Sequence, residues 1–227
     1  MGLGRARADS PVTLVLADDE ALLRRGLRVV LEADARIKVV AEAVDGAELI
    51  EAIAAHRPDV VLIDVQMPGT DGLTALRRLR ALPVQPAAAM LTTFDVDEYV
   101  IEALDLGANG FLLKDADPET LVRAVLDLAA GGAVLDPRIT ARLLPALRAS
   151  GLLRAAVAVP ALTARERQVL ELIAAGRSNA AIARRLGLTE ATVKGYVSAV
   201  FGKLGVQNRV QAAVAAQRIG PSEGRAS

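Results

Sequence analysis

Residues 59–73, DVVLIDVQMPGTDGL, decide the fold. Val60, Val61, Leu62 and Ile63 form an unbroken apolar run that ends in a carboxylate, Asp64, and runs at once into a Pro/Gly-rich turn. Such a run reads as a strand buried on both faces, the kind found in parallel sheets, with Asp64 at its carboxyl end. Open α/β sheets place their ligand sites at that end. Asp64 is therefore the first candidate for a reactive residue.

Working outward, the same pattern recurs. VTLVLA, residues 12–17, is a short apolar run closed by Asp18, Asp19 and Glu20, and Leu22, Leu23, Leu27, Val30 and Leu31 follow at helical spacing. IKVVAEA is a second strand, and Asp45 with Gly46 opens a helix to His56. After the 59–64 strand a helix over 72–81 is broken by Pro83 and Pro86. AAAMLTT is a fourth strand despite its alanines, which are poor strand formers. A helix over 95–107 ends at Gly107, GFLLK is the fifth strand, and Asp117, Pro118 and Glu119 start a helix to Ala130. Five strands alternating with helices predict an α/β fold, a doubly wound five-stranded parallel sheet. At its switch point the ends of the first and third strands are neighbours, so Asp18, Asp19 and Asp64 converge.

Gly131, Gly132, Pro137, Pro145, Gly151 and Pro160 mark a linker over 132–160, with one helical piece near 138–148. It separates a first domain, 11–131, from a second, 161–220, that is helical throughout. Residues 1–10 and the stretch after 220 read as tails. In the second domain Thr163 and Glu166 fit a capping box, Ser178 and Thr189 cap two further helices, and Gly187 makes the tight turn between them. This is helix-turn-helix spacing, in which the second helix enters a DNA major groove. A last helix over 209–218 presents Val210, Ala213, Val214 and Gln217 on one face.

Charge divides the chain in the same place. Residues 11–131 carry 11 Lys+Arg against 21 Asp+Glu, whereas residues 161–220 carry 9 against 3, although the whole chain sums to zero. The first domain suits a cation and the second a polyanion. The absence of cysteine excludes disulfides, thiolate metal sites and Cys nucleophiles, and a single histidine, His56, excludes a two-histidine metal cluster. No apolar run is long enough to span a bilayer, which predicts a soluble, cytoplasmic protein.

Three crowded carboxylates without histidine or cysteine favour a hard, oxygen-ligated ion such as Mg²⁺. A carboxylate beside Mg²⁺ can attack a phosphoryl group and become an aspartyl phosphate. Lys114, ending the fifth strand, offers a cation, and Thr92, ending the fourth, a hydroxyl donor.

At this point ADDE (17–20), LIDVQMPGTDGL (62–73), LTT (91–93) and LLKD (112–115) resemble the receiver domain of bacterial two-component response regulators. The resemblance implies that Asp64 takes a phosphoryl group from a sensor histidine kinase. It implies Mg²⁺ bound by Asp19, Asp64 and the Gln66 backbone carbonyl, with Asp18 acting through a water, and phosphoryl contacts from Thr92 and Lys114. Phe111 stands where the family often has a switching tyrosine. Likewise LTARERQVLELIAAG, SNAAIARRLGLTEATVK and KLGVQNRVQA resemble the LuxR-type helix-turn-helix of NarL/FixJ regulators. That implies Thr192, Lys194, Gly195 and Ser198 on the groove-facing side of a recognition helix. Arg184, Arg185, Lys203 and Arg209 become candidates for contacts to DNA phosphates. The last helix pairs with its copy in the family, so a homodimer on double-stranded DNA is implied. Ala181 for the usual Glu, Tyr196 for a common His, and Gly195 and Gly202 within the recognition helix depart from the pattern and bear on base specificity.

Two other readings compete. A phosphohydrolase of the haloacid dehalogenase type needs a second Asp two residues after the nucleophile; Gln66 stands there, which predicts a switch and not an enzyme. A receiver that serves dimerisation without phosphorylation would have little use for so complete an acidic pocket.

Overall fold

The structure is a computed structural model, and it describes residues 10–93, 97–135, 139, 162–206 and 209–219. The expected helix near 138–148 and the tails therefore lie outside the described residues, apart from Ile139 and Ser10.

The elements of the first domain are β1 (Val12–Ala17), α1 (Ala21–Glu32), β2 (Ile37–Ala43), α2 (Gly46–His56), β3 (Val60–Asp64), α3 (Gly72–Arg80), β4 (Ala87–Thr92), α4 (Asp97–Asp105), β5 (Gly110–Leu113), α5 (Pro118–Ala129) and β6 (Val134–Leu135). All strand pairs are parallel, in the order β2-β1-β3-β4-β5-β6. The five strands read from the sequence are present. The sixth, two residues long, falls in what reads as linker: Val134 pairs with Gly110, whose missing side chain lets the two backbones meet.

The period of two along each strand splits the core into two layers. Leu14, Leu16, Val60 and Leu62 face α1 and α5, where they meet Leu27, Leu31, Leu121 and Val125. Val15, Ala17, Val61 and Ile63 face α2, α3 and α4, against Leu49, Ile53, Leu76 and Leu104. β4 is built from alanines because it lies between β3 and β5 and is covered on both faces; Ala88 and Ala89 are fully buried. Burial there overrides weak strand propensity.

The second domain consists of α6 (Ala164–Ala174), α7 (Asn179–Leu186), α8 (Glu190–Leu204) and α9 (Arg209–Ile219). Val169, Leu170, Ile173, Ile182, Val193, Val200 and Ala212 form its core. The capping box is complete: Thr163 accepts from the Glu166 amide and Glu166 from the Thr163 amide. Ser178 and Thr189 cap α7 and α8, and Gly187 takes the left-handed conformation, φ 65°, between them. No helix among the described residues is long and apolar enough to cross a membrane.

Candidate functional site

Aspartates follow several strands here, and their bonding separates caps from site residues. Asp45, Asp71 and Asp117 each accept amide hydrogen bonds at a helix start. Asp18 and Asp64 do not cap. The Asp18 amide continues the β1–β2 ladder by donating to Ala43, and Asp64 ends β3 as a residue only 4% exposed. α3 starts directly against the Asp64 backbone: a Cβ on Gly72 would lie 2.1 Å from the Asp64 carbonyl oxygen, so only glycine fits.

Asp18, Asp19 and Asp64 each offer a carboxylate oxygen within 4.8 Å of the others. Asp18 is fully buried and Asp19 exposed, beside an open cleft lined also by Gln66, Met67, Arg77 and Tyr99. Lys114 Nζ binds this cluster together. It donates to Asp64 Oδ2 at 2.9 Å and to Glu20 Oε1 at 3.1 Å, and lies 3.0 Å from Asp18 Oδ2. That last oxygen is buried and makes no hydrogen bond. It faces the Lys114 ammonium, and the three carboxylates together form an all-oxygen donor set that fits a hard divalent cation. Burial pushes the Asp64 carboxyl upward, an effect opposed by Lys114 and reinforced by Asp18. For Lys114, burial favours the neutral amine, but Asp64, Asp18 and Glu20 outweigh it and hold the ammonium charged.

Thr92 is 3% exposed, but its hydroxyl donates to the Thr93 carbonyl at 2.9 Å, not towards Asp64. Its backbone carbonyl accepts from the Lys114 amide at 2.9 Å, which links the β4 and β5 ends. Phe111 is fully buried. The ring already lies inside, and without a hydroxyl nothing draws it to solvent.

In the second domain Thr192, Lys194, Gly195 and Ser198 are exposed along one side of α8, as are Arg184 and Arg185 on α7. Lys203 pairs with Glu166 at 2.7 Å, a contact that ties α8 to α6 and holds the Glu166 carboxyl below its usual range. Tyr196 packs against the domain core.

Arg209 and Val210 differ from their sequence reading. Arg209 is 3% exposed and donates to Asn179 Oδ1 at 2.9 Å, to the Gly131 carbonyl at 3.3 Å and to the Arg177 carbonyl. Burial pulls its guanidinium down to about 10, still charged at neutral pH. In this arrangement it joins the end of α5 to the start of α7 and has no surface for a DNA phosphate. Val210, read on one face of the last helix with Ala213, is 2% exposed and belongs to the apolar cluster on the α4 side of the first domain. Gln211 Nε2 donates to the Leu104 carbonyl in the last turn of α4, at 2.9 Å. The side chains of Val214 and Gln217 lie outside the described residues.

Residues 14–126 match the response regulator receiver domain family, and residues 160–216 the luxR family of bacterial regulatory proteins. The nitrate/nitrite response regulator protein NarL of Escherichia coli K12 is 41% identical over 206 residues, 90% of this chain and 94% of its own length. The chain belongs to the NarL/LuxR family of response regulators. This response regulator is also 39% identical to the DNA-binding transcriptional activator DevR/DosR of Mycobacterium tuberculosis, over 92% of its length and 95% of the relative's. Among solved structures it is similar to the response regulator ChrA of a heme-sensing two-component system. That likeness has a TM-score of 0.53 and 38% identity, and covers 92% of this chain and 98% of the other. The acidic cluster lies in its receiver domain and the exposed α8 face in its DNA-binding domain.

Three features escaped sequence reading: Glu20 as a partner of Lys114, Asn179 as the acceptor for Arg209, and the Gln211–Leu104 bond. The last depends on a backbone carbonyl and leaves no sequence signal.

Proposed function

We propose that Asp64 is the phosphoacceptor of this regulator and that its charge controls DNA binding. The observation that carries the reading is the position of Lys114 Nζ, within about 3 Å of carboxylates from two other strand ends. A carboxylate oxygen of Asp64 attacks the phosphorus of a sensor kinase's phosphohistidine; the P–N bond breaks and its electron pair returns to the imidazole. Transfer of this kind needs positioning and charge neutralisation, with little covalent help. Asp18, Asp19, Asp64 and the Gln66 carbonyl would hold Mg²⁺, which supplies positive charge to the phosphoryl oxygens. Lys114 adds a second cation, and the Thr92 hydroxyl turns from the Thr93 carbonyl to a phosphoryl oxygen. That rotation biases the position of α4.

Control reaches the second domain through α9. Its first turn is held against α4 and α5, whereas the groove-facing side of α8 is open. Docking therefore occupies the helix by which two copies would pair, and a shift of α4 releases it. The released form binds double-stranded DNA as a homodimer. Thr192, Lys194, Gly195 and Ser198 approach the bases, and Arg184 and Arg185 the phosphates. Lys203 would reach DNA only by sharing its charge with Glu166, and Arg209 only after undocking.

Acetyl phosphate with Mg²⁺ tests the chemistry by intact-protein mass. One phosphoryl group on wild type and none on Asp64→Asn is expected; an unlabelled wild type, or equal labelling of the variant, refutes the reading.

A further inference from the structure

Glu20 occupies the N-cap position of α1, a place that favours Ser, Thr, Asp or Asn because their short side chains reach back to the helix amides. Its side chain makes no capping hydrogen bond. Instead its backbone amide is fixed by Asp18 Oδ1 at 2.8 Å, and its carboxylate extends to Lys114 Nζ at 3.1 Å. A residue poorly suited to capping thus spends its side chain on the lysine of the site, while remaining 63% exposed.

An ammonium has three donors, and among the described residues Lys114 Nζ has three carboxylate partners: Asp64, Asp18 and Glu20. When Asp64 becomes an acyl phosphate its carboxylate charge is consumed, and the donor it held passes to the phosphoryl group. The donor held by Glu20 does not pass unless that contact opens. Glu20 also adds negative charge to a site that must accept an incoming phosphoryl dianion.

We propose that Glu20 is a positioning residue that restrains Lys114 and so slows phosphorylation of Asp64. The inference rests on Asp64 being the phosphoacceptor. Because Glu20 is exposed, the restraint is modest, a change on the order of two- to fivefold as for other exposed ion pairs.

The test uses the full-length protein with Mg²⁺ and two readouts: the rate of labelling by subsaturating acetyl phosphate, and the affinity for beryllofluoride, a phosphoryl mimic, followed by ¹⁹F NMR. Glu20→Gln should label two- to fivefold faster and bind beryllofluoride more tightly by a similar factor. Glu20→Asp, which keeps the charge on a shorter arm, should fall between wild type and Glu20→Gln. Labelling and affinity unchanged or weakened in Glu20→Gln would overturn the proposal. So would equal shifts in both variants, which would mark an effect on the start of α1 and not of the carboxylate. A wild type that takes no phosphoryl group would overturn the underlying Asp64 reading itself, an outcome distinct from a labelled wild type matched by Glu20→Gln.

Discussion

Lys114 is the residue on which the site's electrostatics turn. It offsets part of the charge of Asp18 and Asp64, which are almost fully buried, and removing one partner of a buried ionic cluster leaves more charge without compensation. Lys114→Met is therefore expected to lower stability by about 3 kcal/mol in the presence of EDTA. Mg²⁺ should restore more stability to the variant than it adds to wild type, because it replaces the missing charge. Urea unfolding with and without Mg²⁺ checks both; equal Mg²⁺ effects on the two proteins would show that Lys114 and the ion do not share a site. At this scale the sequence was legible where a residue's position carried meaning. Asp64 precedes Met67 and Pro68, not a helix start, and that marked it as something other than a cap. Glu20 was less legible because it stands where a cap is ordinary, and only its lack of a capping bond reveals the other use. Arg209 read as a phosphate contact because charge and motif position agree; burial against Asn179 and Gly131 is a tertiary fact.

Among the elements, α8 combines exposure of a reading face with two internal glycines. Among the described residues nothing lies within 4 Å of a Cβ built on Gly195 or Gly202, so neither glycine is demanded by packing there. Gly202→Ala should stabilise the domain by about 1 kcal/mol, the usual helix-interior difference, with DNA affinity unchanged. Gly195→Ala should stabilise it equally but alter DNA affinity, since Gly195 lies on the groove-facing side. Thermal unfolding and titration with bound fragments separate the two; loss of stability in either variant would mean that the glycine is needed for helix geometry. β1, β3 and β5 were legible from apolar runs closed by charged residues, and the helices of the second domain from their caps. β6 was not, because two residues carry no periodicity and its pairing depends on the bare backbone of Gly110.

For the whole molecule, the division into an acidic and a basic half was visible in charge alone, whereas the way the halves meet was not. Their contact uses the Leu104 and Gly131 carbonyls, together with Val210 buried on the receiver. Gln211→Ala removes the bond to the Leu104 carbonyl from that contact, a change worth about 1 kcal/mol, or roughly fivefold in the docking equilibrium. Without a phosphodonor this variant should form more dimer than wild type in sedimentation velocity; a dimer content equal to or below wild type would show that docking of α9 does not oppose pairing.

The most direct test joins Asp64 to DNA. Genomic fragments selected by the full-length protein are titrated with wild type and with Asp64→Asn, each with and without acetyl phosphate and Mg²⁺. Acetyl phosphate should tighten wild-type binding and leave Asp64→Asn at the level of untreated wild type. Equal tightening in both proteins, or none in a labelled wild type, would contradict control of DNA binding through Asp64.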